Sequence, residues 1–299
     1  MRAYVIGNVT IDETIIITEL PVAGASTLGQ IGSRDLGGKG TNQAVVMARC
    51  GVPTTLVAAV GNDARSVLIR QHLTGEPLIS ELVEIDGKSS DVSIIFRLPD
   101  GENAIVTITD AAQSLESIHV APVLRLAEPG DLAIFQGNLS YQTTRNLLHQ
   151  AKTLGMITAF NPSPLRPFFS DLWNLVDIAF LNRGEAQALT GATGKAAADC
   201  LIAKGLRTVV LTLGSEGAIL VNKQEAIIVP ARQSNVLDTT GAGDTFMSVA
   251  LASCVQRSCP LDRRAVEHAA QAAALTVARH GTLTAFPSPS ELKKILASQ

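Results

Sequence analysis

The chain has 299 residues, enough for one large α/β domain or two small ones. Hydrophobic residues make up 46% and charged residues 17%, which indicates a filled globular core and argues against disorder. A net charge of −3 gives no basic excess for a nucleic-acid backbone, and no apolar run approaches the roughly 18 residues that span a bilayer. Asp12 and Glu13 stand where a signal peptide would be apolar. Nucleic-acid and membrane partners are therefore not expected.

Short apolar runs alternate along the chain with segments of helical spacing. The strand candidates are residues 3–6, 55–60, 132–135, 157–160, 178–181, 208–213 and 218–221. The helix candidates include residues 143–154, 183–190, 196–204 and a capped terminal helix within 287–299. Continuous apolar strands separated by helices predict a mostly parallel sheet covered on both faces, a three-layer α/β/α fold. Ligands of such folds bind at the carboxyl ends of the strands.

Residues 13–36 and 89–109 break this rhythm, because they alternate apolar and polar side chains as exposed strands do. The strand candidates there are 14–18, 92–97 and 104–108, and residues 99–102 have the composition of a turn. We predict that these segments form a small β-sheet lid. A sheet that stands off the core must cover its apolar face on substrate or on another copy of the chain, so a homodimer through the lid is a hypothesis.

The four cysteines are scattered and form no C-x-x-C pair, and no histidine lies beside them at metal-ligand spacing. They are Cys50, Cys200, Cys254 and Cys259. This usage predicts reduced, mostly buried thiols in a cytoplasmic protein.

Residues 236–246, V-L-D-T-T-G-A-G-D-T-F, form a glycine-rich turn that opens an apolar helix. The free N–H groups and the dipole at such a helix start favour a bound anion. Asp244, in the first turn, is placed to accept a proton from a nucleophile that attacks a phosphoryl group. The spelling excludes a P-loop, which needs G-x-x-x-x-G-K-[ST], and a dinucleotide fingerprint, because Phe246 stands at the third glycine.

A second glycine-rich loop leads into a helix at residues 37–44, G-G-K-G-T-N-Q-A. It presents a cation, Lys39, and a two-sided amide, Asn42, which suit a polyhydroxylated or anionic ligand.

These two motifs, in this order, resemble the ribokinase-like (PfkB) family of sugar and nucleoside kinases, and their spelling is nearest to ribokinase-type members. The resemblance runs through nearly the whole chain. Further matches are the first strand and its turn at 5–12, a G-x-D turn at 60–63, N-P-x-P at 161–164, N-x-x-E at 182–185 and T-x-G-x-x-G at 212–217. The resemblance implies one catalytic domain over residues 1–299 that transfers the γ-phosphoryl of ATP to a hydroxymethyl group of a small sugar.

The resemblance also implies roles for single residues. Asp244 would be the catalytic base, and the N–H groups of Gly241, Ala242 and Gly243 would form the anion hole. The nucleotide side would comprise Asn182, Glu185, Thr212, Gly214 and Gly217. Glu185 would contact Mg²⁺ largely through water, and Asp238 with the Thr240 carbonyl would match the ligands of a monovalent cation such as K⁺. Without the resemblance, an ordinary helix cap is the preferred interpretation of Asn182 and Glu185.

On the substrate side the resemblance points to six residues: Asp12, Thr10, Gly38, Lys39, Asn42 and Asn138. Asp12 is the strongest of them because a carboxylate accepts hydrogen bonds from two hydroxyls at once. Ribokinase-type chains have Asn where Thr10 stands and Glu where Asn138 stands, so the pocket departs from one made for ribose. Ala270 stands where similar proteins often present His or Asn to adenine, which predicts weaker base contacts or a substitute contact from Gln271.

Two alternatives to a sugar kinase stay open. A nucleoside kinase of the same family would need aromatic side chains for the base, but only 4% of the chain is aromatic and the lid offers Phe96 and little else. A catalytically degenerate sugar- or nucleotide-binding regulator is disfavoured by the intact Asp244 and its G-A-G turn.

Overall fold

The computed structural model describes residues 1–99 and 103–298, and the prediction of a turn at 99–102 falls mostly outside them. Within this part the strands are β1 (Ala3–Gly7), β2 (Thr10–Ile17), β3 (Gly29–Gly37), β4 (Thr54–Val60), β5 (Ile79–Glu84), β6 (Val92–Arg97), β7 (Asn103–Ile108), β8 (Leu132–Gln136), β9 (Ile157–Asn161), β10 (Ile178–Asn182), β11 (Thr208–Thr212), β12 (Ala218–Asn222) and β13 (Ala226–Val229). The α-helices are α1 (Lys39–Arg49), α2 (Ala64–Leu73), α3 (Asp110–Ser114), α4 (Ser117–Leu124), α5 (Tyr141–Thr153), α6 (Arg183–Thr190), α7 (Gly194–Ala203), α8 (Ala242–Arg257), α9 (Arg263–Val277) and α10 (Pro289–Ala297).

The large sheet has the strand order β13-β12-β11-β10-β9-β8-β1-β4-β5 across the described residues. Its strands from β11 to β5 pair in parallel, and β12 and β13 add an antiparallel edge. Parallel strands need crossovers, and the helices supply them on both faces. The carboxyl ends of β1, β8, β9 and β10 therefore meet at one edge, where the functional motifs begin.

Alternation along the strands sends apolar side chains into two separate cores. In β1, Ala3 and Val5 pack into a core shared with α1, α8 and α9. Tyr4 and Ile6 pack into the other, which holds α5 and α7. A sheet with an apolar core on each face is the middle of three layers. The predicted three-layer fold with a mostly parallel sheet is confirmed.

The lid is a separate sheet of four strands in the order β3-β2-β6-β7. β2 pairs antiparallel with β3 and parallel with β6, and β6 pairs antiparallel with β7. Two lid strands run further than the expected 13–36, because β2 begins at Thr10 and β3 ends at Gly37, so both reach the functional motifs. Apolar side chains such as Leu28, Ile31 and Val106 remain exposed on it.

Other sequence expectations meet mixed outcomes. The helix at Arg183–Thr190 has the predicted bounds, and α10 begins after an N-cap at Ser288, whose side chain accepts from the N–H of Glu291. All four cysteines are free, but the expectation that most are buried is wrong: Cys50 is buried, Cys254 and Cys259 are half-buried and Cys200 is exposed. No helix within 1–99 and 103–298 has the length and apolar character to cross a membrane.

Candidate active site

Helix α8 presents its amino end to the carboxyl edge of the large sheet. Its N-cap, Gly241, has a φ of 74°, in the left-handed region that favours glycine. A Cβ at this position would also meet the ring of Phe286, with Cε1 only 2.5 Å away. Glycine at 241 is thus required twice, once by the backbone and once by the packing of the turn.

This turn leaves backbone donors free. Ala242 N–H donates to the Thr239 carbonyl at 3.3 Å, and Thr245 N–H donates to the Gly241 carbonyl at 2.9 Å. The N–H groups of Gly241, Gly243 and Asp244 have no acceptor among the described residues. Unpaired N–H groups at a helix start, with the dipole behind them, form an anion site. Ala242, a predicted member, is its weakest donor because its N–H is shared.

The carboxylate of Asp244 is buried and held at both oxygens. Its residue is 4% exposed. Asn42 Nδ2 donates to Oδ2 at 2.9 Å, and Gln43 Nε2 donates to Oδ1 at 2.9 Å. Both partners are in the first turns of α1, so the two glycine-rich motifs meet at this carboxylate. Asn42 was predicted as a substrate residue, and its Oδ1 is buried with no partner in the described part of the chain.

The Gln43 amide is itself oriented by a second amide, that of Gln136. Gln136 Nε2, at the end of β8, donates to Gln43 Oε1 at 2.7 Å, which fixes the Gln43 amide with its N–H groups towards Asp244. Ser248 Oγ donates to the Gln43 carbonyl at 3.1 Å. Sequence reasoning missed Gln43 and Gln136 as site residues. The one available signal was that Gln43 adjoins Asn42 in a glycine-rich motif.

A cavity of about 1180 Å³ opens between the lid and the carboxyl edge of the large sheet. The predicted substrate residues on its wall are Asp12, Gly38, Lys39, Asn42 and Asn138. The lid supplies Ser93 and Ile95 from β6 and Ile105 and Thr107 from β7, which lie opposite one another in register. The lid therefore covers this cavity with alternate residues of two paired strands.

Asp12 enters the cavity wall from β2 beside Gly37, which has no side chain to occupy the same space. Burial raises the pKa of Asp12, and hydrogen bonds from Thr10 and Ser93 oppose that shift. Thr10 Oγ1 donates to Asp12 Oδ1 at 2.7 Å, and Thr10 is fully buried behind the wall. Thr10 is not on the cavity wall and its hydroxyl is bonded to Asp12, so its contact with the substrate stays a prediction.

Asn138 lies on the wall but its amide is engaged by a residue that the sequence did not single out. Asn138 Nδ2 donates to Asn8 Oδ1 at 2.8 Å, and the same oxygen accepts the N–H of Gly40 at 3.3 Å. Asn8 thus ties the end of β1 to α1 and to the β8 loop. A neutral amide at 138 can enter this arrangement without bringing a further charge beside Asp12 and Asp244.

A second cavity of about 1130 Å³ adjoins the first at the turn before α8. Both walls contain Asn182, Thr212, Thr239, Gly243 and Phe246. Gly214 and Gly217, predicted on the nucleotide side, line the second cavity, and small side chains from α9, including Ala270, form its far wall. Gln271 is not on that wall, and Phe96, the aromatic residue noted in the lid, is not on the wall of the first cavity.

Asn182 and Glu185 form a capping box at the start of α6. Asn182 Oδ1 accepts the Glu185 N–H at 2.8 Å, and Glu185 Oε2 accepts the Asn182 N–H at 2.9 Å. Glu185 also lies on the wall of the first cavity, near the junction of the two. The ordinary cap geometry is present, and it uses one carboxylate oxygen of Glu185.

Asp238 precedes the turn and ties it to the segment after α9. Its Oδ1 accepts the Thr240 N–H at 2.9 Å and its Oδ2 accepts the Gly281 N–H at 3.3 Å. Arg97 Nη2, at the end of lid strand β6, lies 3.7 Å from Oδ2. Burial alone would raise the pKa of Asp238, but the hydrogen bonds from Thr240 and Gly281 and the charge of Arg97 hold it below its ordinary value.

The sequence matches the model of the pfkB family carbohydrate kinases over residues 4–289. The chain belongs to the PfkB family. This PfkB protein is thus a carbohydrate kinase, and its reaction class is ATP-dependent phosphorylation of a sugar.

Relatives of this PfkB kinase are similar over its whole length. Ribokinase of Mus musculus is 28% identical, with 96% of this chain and 92% of the mouse protein covered. A bifunctional ribokinase/ribose-5-phosphate isomerase A of Fructilactobacillus sanfranciscensis is 25% identical over 99% of this chain, which spans about half, 56%, of that protein. The structure of Arabidopsis thaliana ribokinase complexed with ribose and ATP has a TM-score of 0.87 at 23% identity, covering 100% of this chain and 99% of that one. At this identity the structural likeness confirms the fold.

Proposed function

We propose that this kinase transfers the γ-phosphoryl of ATP to a hydroxymethyl group of a small sugar, with Asp244 as the catalytic base. One observation carries the proposal: a buried carboxylate, fixed at both oxygens, lies beside unpaired backbone N–H groups at the junction of two cavities. A base and a phosphate site must be this close, because the attacking hydroxyl and the transferred phosphoryl group are adjacent in the reaction.

In this proposal the sugar lies in the cavity under the lid. Asp12 accepts hydrogen bonds from hydroxyls, and the buried Oδ1 of Asn42 accepts another. Asp244 takes the proton from the hydroxyl that attacks. The N–H groups at the start of α8 then stabilise the charge on the transferring oxygens, as an oxyanion hole does, and Lys39 adds a positive charge on the sugar side.

ATP is proposed to lie in the adjoining cavity, with its base towards α9 and its phosphates towards α8. The supporting features are the small side chains of α9 and the glycines at 214 and 217, which leave room for a flat ring and a ribose. Thr212 and Asn182 line both cavities and are proposed to contact the phosphates. Without a polar side chain at Ala270, recognition of the base would rest on shape.

A divalent cation, Mg²⁺, would offset the charge of the phosphates. Glu185 fits a water-mediated contact to it, because the cap occupies one of its two carboxylate oxygens and the side chain borders the junction. No group of three or more His, Cys, Asp or Glu in the described residues would hold a metal without the nucleotide. For K⁺ the fit is poor, because Asp238 already faces Arg97. Asp238 would supply the carboxylate ligand of that ion, beside the Thr240 carbonyl.

The sugar is proposed to differ from plain ribose. Thr10 donates to Asp12 and Asn138 donates to Asn8, so both side chains are engaged by the protein, and position 138 lacks the charge of the ribokinase-type pattern. A site that lacks a polar partner for one hydroxyl loses discrimination for the sugar that carries it.

The test is a coupled ADP-release screen with Mg-ATP against pentoses, deoxyribose, ketoses, sugar acids and nucleosides. We expect turnover with one class of bare sugar, and Asp244→Asn to lower kcat by about 10²–10⁴ with ATP affinity nearly unchanged. Asp238→Asn is not a suitable control, because Asp238 is bonded to the turn before α8. Asp262→Asn is the control, because Asp262 is the N-cap of α9, and this variant should keep activity. A nucleoside as best substrate would favour the nucleoside-kinase alternative. ATP binding without turnover across the panel would favour a binding-only regulator.

We also propose that residues 1–299 act as one catalytic domain whose lid pairs with that of a second copy. The support is the exposed apolar side chains on the lid, including Leu28 and Ile31. Sedimentation should give a dimer at micromolar concentration, and Ile31→Lys should shift it to monomer. A wild-type monomer would refute this part.

A cytoplasmic location is proposed from the four free cysteines, and no nucleic-acid or membrane partner is proposed.

A further inference from the structure

Asp238 is a buried anion at the start of the phosphate-binding turn. Its side chain is 5% exposed. Two backbone N–H groups, from Thr240 and Gly281, bond its oxygens, but they do not neutralise its charge. Hydrogen bonds alone can hold a buried carboxylate, as at Asp244, but a nearby cation stabilises its charge further. A positive charge beside Asp238 would therefore stabilise the turn.

The cation present in the structure is the guanidinium of Arg97. Its Nη2 lies 3.7 Å from Asp238 Oδ2, which is longer than a hydrogen bond and within the range of a direct charge pair. Hydrogen bonding at Asp238 is supplied by the backbone and by the side chain of Thr240, so Arg97 contributes charge. An arginine stays charged at every physiological pH, so this contribution is permanent.

Arg97 comes from the lid. It is the last residue of β6, the strand that also carries Ser93 and Ile95 on the wall of the sugar cavity. In register it lies opposite Ile16 of β2, the strand that carries Asp12. The same two paired strands that cover the sugar thus deliver a positive charge to the turn that is proposed to bind phosphate.

From this arrangement we propose that Arg97 takes the place of a monovalent cation at Asp238, so that the lid holds the phosphate-binding turn in its active form. Arg97 is a positioning residue that acts through Asp238 on the N–H groups at 241–244. A potassium ion on the same carboxylate would lie beside the guanidinium and be repelled by it. The proposal rests on the proposed kinase reaction, and it implies that the wild-type enzyme does not need added K⁺.

The test compares wild type, Arg97→Ala and Arg97→Lys in potassium, sodium and tetramethylammonium chloride at one ionic strength. The first readout is the melting temperature of the free protein in each salt, which needs no turnover. The second is the ADP-release rate with the sugar found in the screen. Arg34→Ala is the matched control, because Arg34 lies on lid strand β3 and pairs with Glu13 at 3.4 Å, away from the turn.

We expect the wild-type rate to vary by less than about twofold among the salts, and Arg97→Ala to lose about tenfold or more in tetramethylammonium and recover in potassium. The melting temperature of Arg97→Ala should rise in potassium alone, that of wild type should not, and Arg97→Lys should behave as wild type. Strong potassium activation of wild type, or an Arg97→Ala variant that potassium neither stabilises nor reactivates, would overturn the proposal. If no sugar is turned over, the melting temperatures still decide it, and only the kinase proposal fails.

Discussion

The two cavities that meet at the start of α8 are built in different ways. The sugar-side wall is made of polar side chains that hold one another: Asp244 by Asn42 and Gln43, and Asn138 by Asn8. The nucleotide-side wall combines small residues of α9 and of the 214–217 turn with loop residues such as Arg232 and Gln233, whose side chains make no hydrogen bond to one another among the described residues. A wall of mutually bonded side chains distinguishes ligands by unpaired polar groups, which are costly. A wall whose side chains are not bonded to one another tolerates change at single positions.

This difference predicts where substitutions should change kcat and where they should change the KM for ATP. On the sugar side a single substitution breaks a network, so effects on kcat should be large and shared among neighbours. On the nucleotide side a substitution mainly adds or removes bulk, so it should change the KM for ATP. The turn at 241–244 belongs to both walls, and substitutions there separate the two kinds of effect.

The largest effect is expected at this turn. Gly241→Ala would force a side chain into the left-handed region and against Phe286, so the turn must move and its N–H groups lose their direction. We expect kcat to fall by about 10²–10³, as on loss of an oxyanion donor, with a lower melting temperature. The matched variant is Gly243→Ala, because a Cβ at 243 meets no atom within 4 Å.

Gly243→Ala should keep the wild-type melting temperature and raise the KM for ATP, since its methyl group would enter the space where both cavities meet. Kinetics in both substrates with thermal unfolding of both variants check this. Equal kcat losses in the two variants would mean that the strain at Gly241 is unimportant and that any added bulk blocks the site.

A smaller effect is expected from the amide relay, the two hydrogen bonds that run from Gln136 to Gln43 and from Gln43 to Asp244. Gln43→Leu removes one of the two hydrogen bonds to Asp244, and a hydrogen bond to a charged group contributes about 1.5–3 kcal/mol, which corresponds to about 10–150-fold in kcat. Gln136→Leu leaves that bond and removes only its orientation, so its loss should be less. Gln43→Glu should shift the acidic limb of the pH profile upward, because a second carboxylate raises the pKa of its neighbour.

Steady-state kinetics from pH 5 to 9, in sugar and in ATP, check the relay. The KM for ATP should stay near wild type in all three variants. A Gln43→Leu enzyme with wild-type kcat would show that Asn42 alone positions the base, and the contrast between the two walls would then be weaker than the hydrogen bonds suggest.

The sequence was sufficient for the fold and for the two loops, because each depends on local signals. Apolar runs of strand length and a glycine turn before a helix mark β1, β8 and α8 without any knowledge of the partner strands. Strand β5 was missed, because Ile79–Glu84 is a mostly exposed edge strand with two glutamates and lacks the apolar run of a central strand. Its pairing with β4 arises only from the assembled sheet.

Contacts between distant segments could not be predicted from the sequence. Gln43 and Asp244 are separated by 201 positions, and nothing in either motif specifies which amide faces which oxygen. Thr10 was assigned to the substrate because it aligns with a sugar contact in similar proteins, but a two-residue spacing along β2 lets its hydroxyl reach Asp12. Alternation predicted the strand that ends at Arg97 without showing that its end reaches Asp238. Side-chain partners are set by packing, which periodicity does not encode.

The smallest expected effect is a pH dependence confined to the sugar side. Asp91 is fully buried at the base of the lid, where it accepts the N–H groups of Ala111 at 2.9 Å and Ala112 at 3.3 Å. It therefore ties the start of β6 to α3. Burial raises its pKa to about 7, the hydrogen bonds oppose this and the charge of Asp110 adds to it. A raised carboxyl pKa stabilises the fold below the ordinary pKa of about 3.9, and this stabilisation is lost as pH rises through about 7.

From pH 6 to 8 we therefore expect the melting temperature to fall by about 2–4 °C and the KM for the sugar to rise by about two- to threefold, with the KM for ATP nearly constant. Asp91→Asn should flatten both trends, because the amide does not titrate. Asp110→Asn should keep them but move their midpoint to lower pH, since it removes a neighbouring negative charge. If the KM for ATP follows pH as closely as the KM for the sugar, the lid base is coupled to both walls, and the two cavities open and close as one unit.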